Sequence, residues 1–145
     1  MIRLFLFLLF IIISNKVLAS IQGETLICDK DRRGYNFISK DKVEEISINL
    51  HKLNIISTYY TYELSENAIL IKKLSSEFNK KKMQPIGWIF RRSLDYVSLN
   101  YDNGDWNRKF LWSCEIIRSD QLKQRLQNKI DHLIKVDKNK RKDFN

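Results

Sequence analysis

An all-β, mostly antiparallel fold is what this sequence predicts: about eight strands in a meander closed into a small barrel or sandwich, followed by a C-terminal amphipathic α-helix. Short runs rich in β-branched and aromatic residues recur between clusters of Asn, Asp, Gly and Ser, at the spacing of antiparallel hairpins. The only two cysteines, Cys28 and Cys114, fall in the first and the last of these runs. Apolar residues at helical spacing begin only after Ser119.

The first element stands outside that domain. Arg3 precedes ten unbroken apolar residues, Leu4–Ile13, and Val17-Leu18-Ala19 ends in small residues before Ser20. A run of ten is far short of the roughly 20 residues that cross a bilayer as a helix. Met1–Ala19 therefore reads as a cleaved export signal, leaving no transmembrane span in the mature chain. The remaining 126 residues fit one β-rich domain over 20–136, which can bury a core without help from metals. Export to the periplasm or the medium also decides the cysteines: in an oxidising compartment Cys28 and Cys114 read as a disulfide. Strand parity puts both on the core side, since Leu26 and Cys28 share one face, and Phe110, Trp112, Cys114 and Ile116 share another. Such a bridge ties the two ends of the meander together, which argues for closure.

The strands follow in order at Thr25–Asp29, Tyr35–Ser39, Val43–Asn49, Ile55–Tyr62, Ala68–Lys73, Ile86–Arg92, Tyr96–Tyr101 and Lys109–Ile117. The clearest pattern is Val43–Leu50, where Ile46, Ile48 and Leu50 alternate with Glu45, Ser47 and Asn49, one face buried and one wet. Turn chemistry separates the strands at Arg33-Gly34, Ser39–Lys42, Ser65-Glu66-Asn67 and Asp102-Asn103-Gly104-Asp105, because Asn, Asp and Gly tolerate left-handed backbone. Ser75–Pro85, with Lys80-Lys81-Lys82 and the only proline, reads as an exposed loop or short helix. Ala68–Phe78 also permits a helix, through Ala68, Ile71, Leu74 and Phe78, although Ile69-Leu70-Ile71 suits a strand better. After the last strand Leu122, Leu126, Ile130, Leu133 and Ile134 form one apolar stripe, with Ser119 or Asp120 placed to cap a helix over 120–136. Past Val136 the stripe ends, and 137–145 reads as a disordered charged tail.

Without Arg3 and Lys16 the chain carries 24 basic and 17 acidic residues, a net charge of +7. The surplus lies in Lys72–Arg92 and Arg118–Lys142, at +6 each. A basic surface suits anionic partners such as phospholipid headgroups, acidic glycans or acidic proteins, and export disfavours nucleic acid.

Catalytic and cofactor chemistry leave no recognisable trace. His51 and His132 have no second histidine or cysteine at metal-ligand spacing and read as solvated surface residues, so no metal or cofactor is expected. There is no G-x-S-x-G elbow, no H-E-x-x-H pair and no glycine-rich phosphate loop. The acidic groups Asp29 with Asp31, Glu44 with Glu45 and Asp102 with Asp105 lack the remaining ligands of a calcium loop, and the last reads as a hairpin turn. Two surface features remain. Tyr59, Trp88, Arg91 and Arg92 interleave aromatic and basic side chains as an anion or ligand site would, with core packing as the plainer reading of the aromatics and a brace to Asp95 as that of the arginines. Lys123, Arg125, Lys129 and Lys135 line the polar face of the helix, which packs on its own sheet or meets a membrane or partner.

In outline, with an export signal, a small antiparallel barrel and the segment Leu26-Ile27-Cys28-Asp29, the chain loosely resembles the periplasmic inhibitors of C-type lysozyme. It departs from them in lacking their serine-glycine and tyrosine inhibitory motif, and +7 suits a basic target badly, so membership does not follow. The leading expectation is a non-enzymatic, exported binding or envelope-associated module. A small hydrolase with a spatially assembled site and a peripheral membrane binder acting through the helix are the alternatives.

Overall fold

The computed structural model describes residues 21–77, 80–102 and 105–142, so the Met1–Ala19 segment, the Asn103-Gly104 turn and residues 143–145 of the tail lie outside the described residues. Its elements are β1 (Thr25–Cys28), β2 (Arg33–Phe37), β3 (Lys42–Asn49), β4 (Asn54–Leu64), β5 (Ala68–Glu77), β6 (Lys80–Phe90), β7 (Asp95–Asp102), β8 (Asp105–Ile117) and α1 (Ser119–Lys142). Each strand pairs antiparallel with the next, and β8 returns to pair with β1. The meander closes as a barrel and not a sandwich.

Several boundaries differ from the sequence reading, each for a local reason. Ser75–Pro85 is not a loop, and Ala68–Phe78 holds no helix among its described residues, because β5 and β6 continue as one long hairpin that pairs Glu77 with Lys80. Pro85 is tolerated at a bulge: Ile71 faces Gly87 and Lys72 faces Pro85, leaving Ile86 as the extra residue. Arg33-Gly34 lies inside β2 rather than in a turn. The chain reverses instead through Asp29, Lys30 and Asp31, all three with positive φ. Leu50, grouped with Ile46 and Ile48 by the alternation, is exposed in the turn after β3. There the Asn49 side chain accepts the His51 and Lys52 amides. α1 runs on to Lys142 where the end of the stripe predicts disorder from 137, since no Gly or Pro interrupts the segment and its lysines and arginine are good helix formers.

Two apolar clusters hold the molecule. Leu26, Cys28, Tyr35, Phe37, Val43, Tyr62, Ile69, Ile71, Ile89 and Tyr96 fill the lumen. Ile27, Ile46 and Ile48 point outward and are covered by Leu122, Leu126 and Ile130 of α1. The apolar stripe of the helix therefore faces its own sheet. Each such side chain contributes roughly 1.5–3 kcal/mol on burial, so the docked helix is a large share of a small domain's stability. The approach is close because Gly34 has no side chain; a Cβ there would lie 2.2 Å from Leu122 Cδ1. At the seam Arg125 ion-pairs with Asp31 at 2.7 Å and also with Glu115, pinning the helix to the β1–β2 turn and β8.

Barrel closure is covalent as well as hydrogen-bonded. Cys28 and Cys114 stand directly opposite in the β1–β8 register and are disulfide-bonded across a sequence separation of 86, with Cys28 buried in the lumen core and Cys114 packed against it. Phe110 and Ile116, on the same face of β8, extend past that core at either end and are about half exposed.

Gly34→Ala should lower stability by about 1–3 kcal/mol in urea unfolding, and Leu122→Ala should cost less in the Gly34→Ala background than in the parent, because there it also removes the clash. Thiol titration of denatured, unreduced protein should find no free sulfhydryl. Reduction should then cost about 4–5 kcal/mol of stability, the loop-closure entropy of so long a loop.

Candidate functional site

The buried core of the barrel holds a charged pair among its described residues. Along β3 the isoleucines face out beneath α1, so Val43 and Glu45 turn into the lumen. Glu45, only 7% exposed, accepts from Arg33 Nη1 at 3.1 Å. The Arg33 guanidinium lies 4.8 Å from the centre of the Trp112 ring, which stacks on Tyr96 at 5.1 Å, and Tyr96 stacks on Tyr35 at 5.4 Å. A cation over an aromatic face is stabilised by the ring quadrupole, the more so away from water. Burial pulls the Arg33 pKa down, yet the neighbouring Tyr35 and Glu45 groups outweigh it and hold it above the usual value. Burial also pushes the Tyr35 hydroxyl well above the ordinary tyrosine range and raises Tyr96 and Tyr60. Arg33 Nε and the Tyr35 hydroxyl are buried without a hydrogen-bond partner. Sequence reasoning missed this cluster because the alternation of β3 was read with the isoleucines inward. The apolar stripe of α1, which needed a sheet face to cover it, was the available signal.

A groove opens to solvent where β4 and β5 separate. Their ladder joins only Thr61–Leu64 to Ile69–Lys72. Beyond it a groove of about 430 Å³ is lined by Ile38, Tyr59, Leu74 and Met83, together with Lys42 and Lys72. Tyr59 and Leu74 are 67% and 58% exposed. Glu44 orders one wall, accepting from Ser57 Oγ at 2.5 Å and from the Tyr59 hydroxyl at 3.2 Å. Glu63 holds the Lys72 ammonium at 2.5 Å. An apolar groove flanked by ammonium groups and exposed to solvent can bind an amphipathic, anionic ligand.

The residues singled out from sequence fall in different places. Tyr59 lines the groove. Trp88 sits on the outer face of β6 against Phe90, with the Arg108 guanidinium 5.5 Å above its ring and its indole N–H buried without a partner. Arg91 Nη1 donates to the carbonyls of Ser65 and Glu66, bracing the β4–β5 turn, and the Asp95 carboxylate accepts from Ser113. Arg92 is exposed in the turn after β6. Ser65 lies six residues along the chain from Tyr59, roughly 20 Å at strand rise, so these four do not converge. On α1 Lys123 and Lys135 are exposed, Lys129 is half-buried, and Arg125 belongs to the seam. Both histidines are exposed, and Asp29 is paired with Arg32. Among the described residues no three metal-ligating side chains gather.

Because Tyr35 and Tyr96 ionise at higher pH folded than unfolded, the folded state keeps protons that the unfolded chain loses above about pH 10, and stability falls from there upward. Urea unfolding at a series of alkaline pH values should show this decline. Tyr35→Phe should make it shallower, since it removes one of the groups responsible.

No family model matches the chain, and neither a curated protein nor a solved structure is found to be similar to it.

Proposed function

We propose that this chain is an exported binding module, without catalysis of its own, that engages an anionic envelope component or protein through the outer face of its barrel. The observation that carries this reading is an apolar, lysine-flanked groove of about 430 Å³ opening to solvent where β4 and β5 separate. Exposed apolar side chains among charges are characteristic of recognition surfaces. The disulfide that closes the barrel supports an oxidising destination. No helix among the described residues is long and apolar enough to cross a membrane. A lipid-facing role for α1 loses its apolar surface, because Leu122, Leu126 and Ile130 are buried against β1 and β3.

Two soluble probes test the reading: polyglutamate and vesicles containing phosphatidylglycerol, each at low and at raised salt. Binding to at least one should be retained at low salt and weakened by Lys42→Glu. Lys123→Glu with Lys135→Glu should leave it within about twofold, because those lysines lie on the helix and not at the groove. Binding lost through the helix substitutions alone would transfer the site to α1, and absence of binding to both probes would overturn the reading.

A further inference from the structure

We infer that the notch between β4 and β5 is an acceptor site for one extended, acidic polypeptide segment, which adds to the β4 edge as a strand. This rests on the anionic-partner reading above and names the partner's chemistry and its mode of docking.

The backbone supplies the argument. The Ile48 amide donates to the Arg32 carbonyl, so Ile48 faces β2, and alternation turns the backbone of Glu45, Ser47 and Asn49 toward β4. Their register partners Thr58, Ile56 and Asn54 face β3 in return. The Tyr62 amide, which donates to the Asp41 carbonyl, keeps the same parity. Ile55, Ser57 and Tyr59 therefore direct their N–H and C=O groups to the opposite edge. Pairing with β5 on that edge stops at Thr61. Across the notch Leu74, two residues past the last paired position Lys72, directs its own backbone groups back toward the gap by the same alternation. Two strand edges thus end in the groove lined by Ile38, Tyr59, Leu74 and Met83.

An edge of alternating donors and acceptors at strand spacing is matched by another extended backbone, and the flanking pockets then select alternate side chains. Charge selects among such segments. Lys42 and Lys72 line the notch, Lys72 paired with Glu63, and the notch opens beside the basic stretch from Lys72 to Arg92, which carries a net charge of +6. A second copy of this chain is disfavoured as occupant because it would bring the same lysines, and a net charge of +9 over the full sequence, against themselves. An acidic segment is attracted by that net charge instead.

The probe is a short synthetic peptide of alternating valine and glutamate, compared with its lysine counterpart and with the acidic peptide N-methylated at alternate residues, which removes donors without changing charge. Fluorescence anisotropy should show the acidic peptide binding, the lysine peptide not binding, and N-methylation weakening affinity by about tenfold or more. Ser57→Pro removes one N–H that the barrel does not use, so it should weaken binding similarly while keeping a folded thermal transition. If that variant fails to fold, the N-methylated peptide decides alone. Equal binding of the methylated and unmethylated peptides overturns strand addition while the anionic surface stands. Vesicle binding with no peptide binding up to about 1 mM overturns it in favour of lipid. Failure of peptide, polyglutamate and vesicles together overturns both this inference and the reading on which it rests.

Discussion

Closure of the barrel rests on its shortest strand. β1 has four residues, all of them buried, and those four must complete the hydrogen bonding of both β2 and β8, seal the lumen with Leu26 and Cys28, and carry the helix on Ile27. Pairing over so short a length is a weak seam, since the two ends of the meander must be brought together at high entropic cost by a few ladder bonds. The Cys28–Cys114 bond lies directly on that seam and makes closure a covalent property of the oxidised chain. Every other neighbouring strand pair is joined by a hairpin. β1 and β8 alone meet across the whole sequence, which is why the constraint is worth most there.

Burial on both sides of β1, β2 and β3 follows from the way α1 docks. A barrel wall ordinarily has one apolar and one wet face, but here α1 covers Ile27, Ile46 and Ile48 from outside while Leu26, Tyr35 and Val43 pack inside. Gly34 is the contact that lets Leu122 come within packing distance, and Arg125 holds the register by reaching Asp31 and Glu115. The polar face of β3 is thereby forced into the lumen. Glu45 is tolerated there because Arg33 answers it and Trp112 flanks the guanidinium, so desolvation is offset by pairing and by a ring face.

Unequal strand lengths shape the outer surface. β5 and β6 pair with each other over their full length, yet they join the barrel wall only through Ile69–Lys72 on one side and Gly87–Ile89 on the other. The rest of the hairpin does not pair with the wall, which leaves the far part of β4 without a partner on its β5 side and creates the groove. A closed barrel removes sheet edges, and this one restores an edge where two ladders stop early.

The sequence by itself determined the class of the fold, the number and order of the strands, the helix, and the pairing of two cysteines with no alternative partner. These follow from local chemistry: period-two alternation, turn residues between strands, and a stripe at helical spacing. It also marked Tyr59 and the basic stretch from Lys72, though not what surrounds them. Only the tertiary structure decided which face of β3 is inside, because alternation fixes that two faces exist and not which of them a distant helix will cover. The same holds for Gly34, which reads locally as a turn and serves as a contact for Leu122. It holds for Arg33 and Glu45, twelve residues apart in the chain, which become a pair through the β2–β3 hairpin and Trp112 on β8. The notch depends on where ladders end, a balance among strands that no single segment encodes.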